Sequence, residues 1–537
     1  MNKIHEVIIV GSGPAGVGAA LGLAEKGVKP LILDVGSAPL PHQPIKENFY
    51  DFRKKNDVFD LMIGKDYAGL QNIFHKTNMT PKLTAPLLRY VTENAERLSP
   101  LKEEGFTAVQ SFARGGLASA WGAGLFRFSH RELEGLPIGA AELDPFYDKL
   151  TKEIGISGAD DDLTPYFGSP GHLLKPLEFT TKAAKLYKRY QKKKKSLNKR
   201  GIYMGRPRLG VLSEDFNGRA APGSRGSDEY WLPELSYIYN PAFTIEKLIK
   251  EDKISYRRGI FVTSWQRKNN EIIVSAKDLE SGAPVSFKTR KLLLAAGTVN
   301  TTRIVLESKR DYSSELKLLD NPLVQMPMFF PGFIGGKLEK ETFGMGHINL
   351  IFDLEKYGVL LQGGTLELIS PARGIFYDQF PFAARDNIRL TRLASGAVMV
   401  LLLFFPSSDE NAARLRLTPG GVLDIRCRPY RIDKNILAHI ARGLRKLGVL
   451  TLSMFTQFSP PGYGIHYAGT LPMKEKPAAP YQCNRNGELF GEPGVFIVDG
   501  AVLPRLPAKN LSFTIMANAM RTAQAAAAAP APAISSS

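Results

Sequence analysis

Three glycines and one carboxylate near the start of the chain are the first residues whose types and spacing imply chemistry. In EVIIVGSGPAGVGAALGLAEKGVKPLILDVG, Gly11, Gly13 and Gly16 form G-x-G-x-x-G, and Asp34 follows eighteen residues after Gly16. The first glycine permits a tight turn, the second lets backbone approach a pyrophosphate, and the third lets helix and strand pack closely. A carboxylate at Asp34 can accept hydrogen bonds from a ribose diol. That chemistry is dinucleotide binding, and the glycines are neutral between NAD and FAD. The eight histidines show no metal-ligand spacing with one another, with cysteine or with carboxylates, so no metal centre is expected.

Such a turn works only on the right elements. Residues 7–10 are a short apolar run, as expected for a strand buried on both faces of a parallel sheet. A helix is expected over 15–25, and PLILD should be the next strand, ending at Asp34. The diphosphate would sit on the helix N-terminus, where free N–H groups and the dipole favour negative charge. Further along, RKLLLAAGTVNTTRIVLES reads as another strand-to-helix crossover through Ala296 and Gly297. In GEPGVFIVDGAVLPRLPAKNLSFTIMANAM a strand over 495–498 ends on Asp499, and a long helix starts near Ser512, which can cap it. In ARGGLASAWGAG the pair Gly115-Gly116, with Ser119, Trp121 and Gly122, lets backbone lie against a flat ring system.

The chain has 537 residues, 44% hydrophobic and 23% charged, which suits two or three globular cores. Cys427 and Cys483 cannot build a disulfide framework or a zinc cluster, and a reducing setting fits best. The first strand begins too early to leave room for a signal peptide. The longest apolar stretch, AVMVLLLFF at 397–405, is about half of a membrane span and reads as a buried strand. A soluble, cytoplasmic protein is expected. The net charge of +18 is partly concentrated at 182–200, KAAKLYKRYQKKKKSLNKR. A solvated surface helix is the default reading, with an anionic membrane, an acidic partner or an acidic substrate as alternatives. No recognition module surrounds the segment, which argues against nucleic acid.

Together these stretches resemble the glucose–methanol–choline (GMC) family of FAD-dependent oxidoreductases, in the family's order and over nearly the whole chain. The resemblance implies FAD rather than NAD. GGLASAWGAG is most similar to the branch of pyranose 2-oxidases and bacterial sugar and glycoside oxidases. Some members there carry a flavin-linking histidine before the tryptophan; Ala120 stands at that position here. Non-covalent FAD follows. The resemblance also implies that His466 in GYGIHYAGT and Asn510 in LPAKNLSFT match the family's His/Asn pair at the reactive edge of the flavin. Hydride removal from an alcohol carbon requires the hydroxyl proton to leave, and a histidine can accept it while an amide orients the oxygen. Leu511 follows Asn510 where many members have proline. Arg505 and Lys509 would be candidates for positive charge near an anionic reduced flavin, with surface or FAD-phosphate contacts the favoured reading, and the strand expected over 254–265 should pass the adenine, with Val262 offering backbone contacts.

The fold class expected is α/β (α+β overall): a Rossmann-like FAD-binding domain with a discontinuous substrate domain on an antiparallel sheet. The FAD domain is drawn as 1–45, 105–175, 240–315 and 478–526. The pieces 46–104, 176–239 and 316–477 form the substrate domain, and 527–537 is a disordered tail. The antiparallel wall would include LRLTPGGVLDIRCRPY, and the aromatics of YDQFPFAA would line it. GSRGSDEYW lacks the cysteines of several bacterial relatives, which speaks against a redox or metal role. The function expected is oxidation of an alcohol, a sugar, glycoside or other polyhydroxylated compound, with oxygen or another acceptor taking the electrons. A hydrophobic lipid or polyketide alcohol, a lyase-type enzyme with structural FAD, and a flavin-bound scaffold protein are the alternatives.

Overall fold

The apolar residues at 7–10 become the buried end of the strand Ile4–Val10. In this computed structural model, residues 3–42, 45, 47, 49–67, 69, 81–223, 231–336, 343, 345–367 and 381–529 are described. Ile4–Val10 pairs in parallel with Leu31–Leu33 on one side and Pro284–Leu294 on the other. Ser255–Arg257 extends the sheet beyond Leu31–Leu33, and Val495–Ile497 lies parallel to the end of Pro284–Leu294. The first half of Pro284–Leu294 instead joins Glu271–Asp278 and Ile260–Lys268 in an antiparallel layer. Residues 254–265 are therefore two strands rather than one. The break falls at Gly259, whose φ of +79° turns the chain to a new set of partners.

The helix Pro14–Glu25 opens with proline in its first turn, where the missing N–H costs nothing. It crosses the C-terminal helix Ser512–Ala528 at very short range. A Cβ added at Gly18 would lie 2.3 Å from the Met516 carbonyl oxygen, and one at Gly22 2.5 Å from that of Met520. The C-terminal helix reaches Ala528, so residues 527 and 528, expected in a disordered tail, are helical. Alanine is the best helix former, and the Lys291 ammonium donates to the carbonyls of Ala526 and Ala529 at the helix end. The rest of that tail, 530–537, lies outside the described residues.

A second sheet of six antiparallel strands runs in the order Gln457–Phe458, Leu323–Phe329, Val398–Phe404, Val359–Glu367, Met345–Leu354, Ile202–Gly205. The apolar run at 397–405 supplies its central strand. The hairpin Ala413–Leu417/Leu423–Arg426 is not part of this wall. It pairs with Leu316–Leu318 and Leu101–Glu104 in a separate four-stranded sheet. The basic segment is the helix Thr181–Asn198, capped by the Thr180 hydroxyl and seated on Ala183, Leu186, Tyr190 and Leu197. Both cysteines are free. Among the described residues no helix is long and apolar enough to cross a membrane. Most of GSRGSDEYW and the first residues of YDQFPFAA lie outside the described residues.

Candidate active site

The turn after Ile4–Val10 is shaped by what its glycines exclude. Gly11 has φ +99°, and a Cβ there would lie 2.6 Å from the Ala295 carbonyl oxygen. A Cβ at Gly16 would lie 2.1 Å from the carbonyl oxygen of Gly11, which is the helix–strand contact the third glycine serves. Gly116, at φ +63°, comes so near that its Cβ would be 3.2 Å from the Gly13 Cα. The Ser12 hydroxyl joins the two glycine loops, accepting from the Gly115 N–H at 3.2 Å and donating to Asp34. Asp34 also accepts from the Tyr256 hydroxyl at 2.8 Å. Burial pushes its pKa up to about 6, against these hydrogen bonds, which favour the carboxylate.

From this turn a cavity of about 530 Å³ extends to His466. Gly11, Gly13, Asp34, Gly116, Trp121, Gly122, Val262, Ala296, Gly297, Asp499 and Ser512 line it, with Ala120. Gly16, Gly115 and Ser119 are not among its lining residues. Gly115 is pressed against Asn240, and the Ser119 hydroxyl donates to the Arg114 carbonyl at 2.9 Å. The Trp121 indole donates to the Tyr239 carbonyl at 2.8 Å, which fixes the ring at the cavity edge. Asp499 accepts from the Thr301 hydroxyl and from the Ala501 N–H at 3.0 Å, so it ties the strand end to the helix Thr298–Lys309. Burial raises its pKa to about 6.

Two expectations change here. Ser512 is the first residue of its helix rather than its cap; Leu511 occupies the cap position without a side-chain hydrogen bond. Arg505 and Lys509 do not line the cavity. Arg505 donates to the Glu134 carbonyl at 2.6 Å, and the buried Lys509 is consumed by Glu132 and the carbonyls of Arg127 and Tyr166. Both turn away because partners of opposite polarity stand on the other side of their loop.

His466 and Asn510, forty-four residues apart in sequence, meet at the far end of the cavity. The Asn510 amide nitrogen lies 3.2 Å from His466 Nε2. On the other side of the ring, His466 Nδ1 lies 2.9 Å from Asn321 Oδ1. The Asn321 amide is itself locked, since its Nδ2 donates to the carbonyls of Phe405 and Pro507 at 2.7 and 2.9 Å. Its oxygen therefore faces the ring, and Nδ1 must carry the proton. Nε2 is left as the unprotonated acceptor and receives the Asn510 amide N–H at the cavity edge. Phe404 packs against the ring at 4.9 Å between centroids. Burial lowers the His466 pKa to about 4, so the imidazole is neutral near pH 7. Asp320 holds the loop from beneath, accepting from Gly462 N–H and the Tyr430 hydroxyl at 2.8 and 2.9 Å. Sequence reasoning missed this Asp320-Asn321 pair. The visible signal was two polar residues in LDNPL just ahead of an apolar strand.

The six-stranded sheet forms the wall facing this pair. Gln325, Asn349, Gln362 and Thr365 line the cavity from it, with Leu402 and Phe404. Gln362 Nε2 donates to Asn349 Oδ1 at 2.9 Å, while the buried Gln362 Oε1 has no partner. At the turn end, the buried Asn300 Oδ1 and Arg303 Nε are likewise without partners. A long cavity with a glycine cradle at one end and unmatched buried polar atoms along it fits an extended polar ligand such as FAD.

The fold and the glycine cradle define a dinucleotide-binding architecture. Residues 460–519 match the family model described as GMC oxidoreductase. Among solved structures, pyridoxine 4-oxidase from Mesorbium loti is similar over 97% of this chain and 99% of its own, at 13% identity and a TM-score of 0.60. Two variants of formate oxidase from Aspergillus oryzae RIB40, studied for FAD modification, are similar over 98% of both chains, at 12% identity and TM-scores of 0.60 and 0.61. At such identities the structural likeness shows the shared fold. No curated protein sequence matches the chain. The family match covers the segment that carries His466 and Asn510, and the likeness over the rest of the chain is one of fold.

Proposed function

We propose that the chain oxidises the C–OH group of a neutral, hydroxyl-rich small molecule, with His466 as the base and Asn510 as its partner. FAD, when bound, supplies the acceptor for the hydride leaving the alcohol carbon. Those of the expected cofactor residues that line the cavity would hold it there, with Gly16, Gly115 and Ser119 shaping the backbone behind them. Ala120 offers no imidazole for a linkage, so the cofactor is read as dissociable. The discontinuous division into a FAD-binding and a substrate domain belongs to the same proposal.

The observation that carries the reading is the fixed tautomer of His466. Its Nε2 is unprotonated and accepts from the Asn510 amide, so an alcohol hydroxyl that takes that amide's place can give its proton to Nε2 while Asn510 holds the alcohol oxygen. The low pKa leaves the ring deprotonated and ready at neutral pH. The substrate class is supported by the wall. Its lining residues from the six-stranded sheet are amides, a hydroxyl and apolar side chains, without a charge, which suits sugar or polyol hydroxyls.

The test is anaerobic absorbance of the oxidised flavin during a screen of sugars, glycosides, polyols and hydrophobic alcohols. Bleaching by hydroxyl-rich compounds, slowed about 10²- to 10⁴-fold in His466→Ala, is expected. Bleaching by apolar alcohols alone would overturn the substrate class. A flavin that stays oxidised with every alcohol would overturn the reaction and favour a non-redox role. Acid precipitation should release the flavin into the supernatant.

A further inference from the structure

The basic helix Thr181–Asn198 does not stand alone on the surface. The Lys185 ammonium lies 4.8 Å from the centroid of the Phe333 ring. Arg189 donates to the Leu447 carbonyl at 2.8 Å, and Lys193 donates to that of Lys446. These three residues, four apart, run along a border with two apolar segments, 330–336 and 447–458. The segments are joined to each other, because Phe329 and Leu450 exchange backbone hydrogen bonds at 2.8 and 2.9 Å.

Both segments expose large apolar side chains: Ile334 is 52% exposed, Leu450 42%, Leu452 49% and Met454 79%. Lys188, Lys192 and Lys195 stand in solvent beside them, and Arg442 and Arg445 are exposed on the neighbouring helix Lys434–Lys446. Lys182 and Lys194 are spent on Glu367 and Asp162. No Asp or Glu occurs within 181–200, 323–336 or 434–458. Exposed apolar side chains framed by cations, in segments that carry no acid of their own, are the pattern of a surface lying in the headgroup layer of a membrane.

We infer that this face docks the protein on anionic lipid bilayers. The basic helices meet the headgroup charge, and Ile334, Leu452 and Met454 enter the acyl boundary. The face is tied to the cavity, since the edge strand Gln457–Phe458 pairs with Val324 and Gln325, and Gln325 lines it. The inference does not depend on which alcohol is oxidised.

The experiment is sedimentation of the FAD-loaded full chain with vesicles of phosphatidylcholine, with and without about 30% phosphatidylserine. Wild type should pellet with the anionic vesicles and stay in solution with the neutral ones. Lys188→Gln with Lys192→Gln should weaken binding about 25-fold, roughly fivefold per residue. Leu452→Ser with Met454→Ser should weaken it about tenfold at unchanged charge. Each variant's thermal transition and flavin content should match wild type. Failure of wild type to pellet with anionic vesicles at low salt would overturn the inference. So would serine variants that bind like wild type, which would leave only unspecific attraction that RNA satisfies equally. A wild-type dimer dissociated by the serine substitutions would instead make the patch an interface between copies.

Discussion

At the residue scale, the proposed chemistry rests on a ring held from both sides. Asn321 decides which nitrogen of His466 carries the proton, and burial decides that the ring is neutral. The acid limb of kcat/KM should therefore lie near pH 4, not near the ordinary histidine value of 6.5. The sign follows from the base being active only when deprotonated: activity is full above the limb and falls as pH drops through it. A limb near 6.5 would show that the ring is not desolvated as described. Asn321→Ala removes the acceptor at Nδ1 and frees the other tautomer, which points a proton rather than a lone pair at the alcohol. A kcat loss of about 10- to 100-fold with FAD retained is the expected outcome in steady-state kinetics. The His/Asn pair was legible only through a family resemblance. Asn321 was not, because its role depends on a contact across 145 positions.

At the element scale, the glycine motif does two jobs. Gly11, Gly13 and Gly16 shape the cradle, while Gly18 and Gly22 let two helices cross almost backbone to backbone. The second job lies outside the fingerprint. Gly22→Ala gains helix propensity but places a methyl group against the Met520 carbonyl. A net loss of about 1–3 kcal/mol in denaturant unfolding is expected. No loss would mean that the helices separate freely. Element types were readable where an apolar run was unbroken, as at 7–10 and 397–405. They were misread where a single glycine redirected the chain, as at Gly259. The hairpin at 413–426 was read correctly as strands and assigned to the wrong sheet, because strand pairing is a choice among distant partners.

At the scale of the whole molecule, the site is closed by cross-ties between segments hundreds of residues apart. The largest is Lys509, 1% exposed, which binds Glu132 and the carbonyls of Arg127 and Tyr166 next to Asn510. Burial pulls the Lys509 pKa down, and Glu132 beside it pulls the other way while the carbonyls accept its remaining N–H groups. Lys509→Met leaves Glu132 buried without its cation. A destabilisation of about 3–5 kcal/mol, read by thermal unfolding, is expected, with weaker FAD retention as the loop carrying Asn510 loosens. A transition unchanged from wild type would count against this tie.

The sequence by itself determined the cofactor cradle, because G-x-G-x-x-G and Asp34 act through local backbone geometry that a short stretch specifies. It also determined the basic helix, whose lysines repeat at helical spacing. Only the tertiary structure decided the tautomer of His466, the uncharged wall opposite it and the company the basic helix keeps. Each of those is set by which distant strands pair, and pairing is decided by the burial of whole faces rather than by the residues that end up in contact.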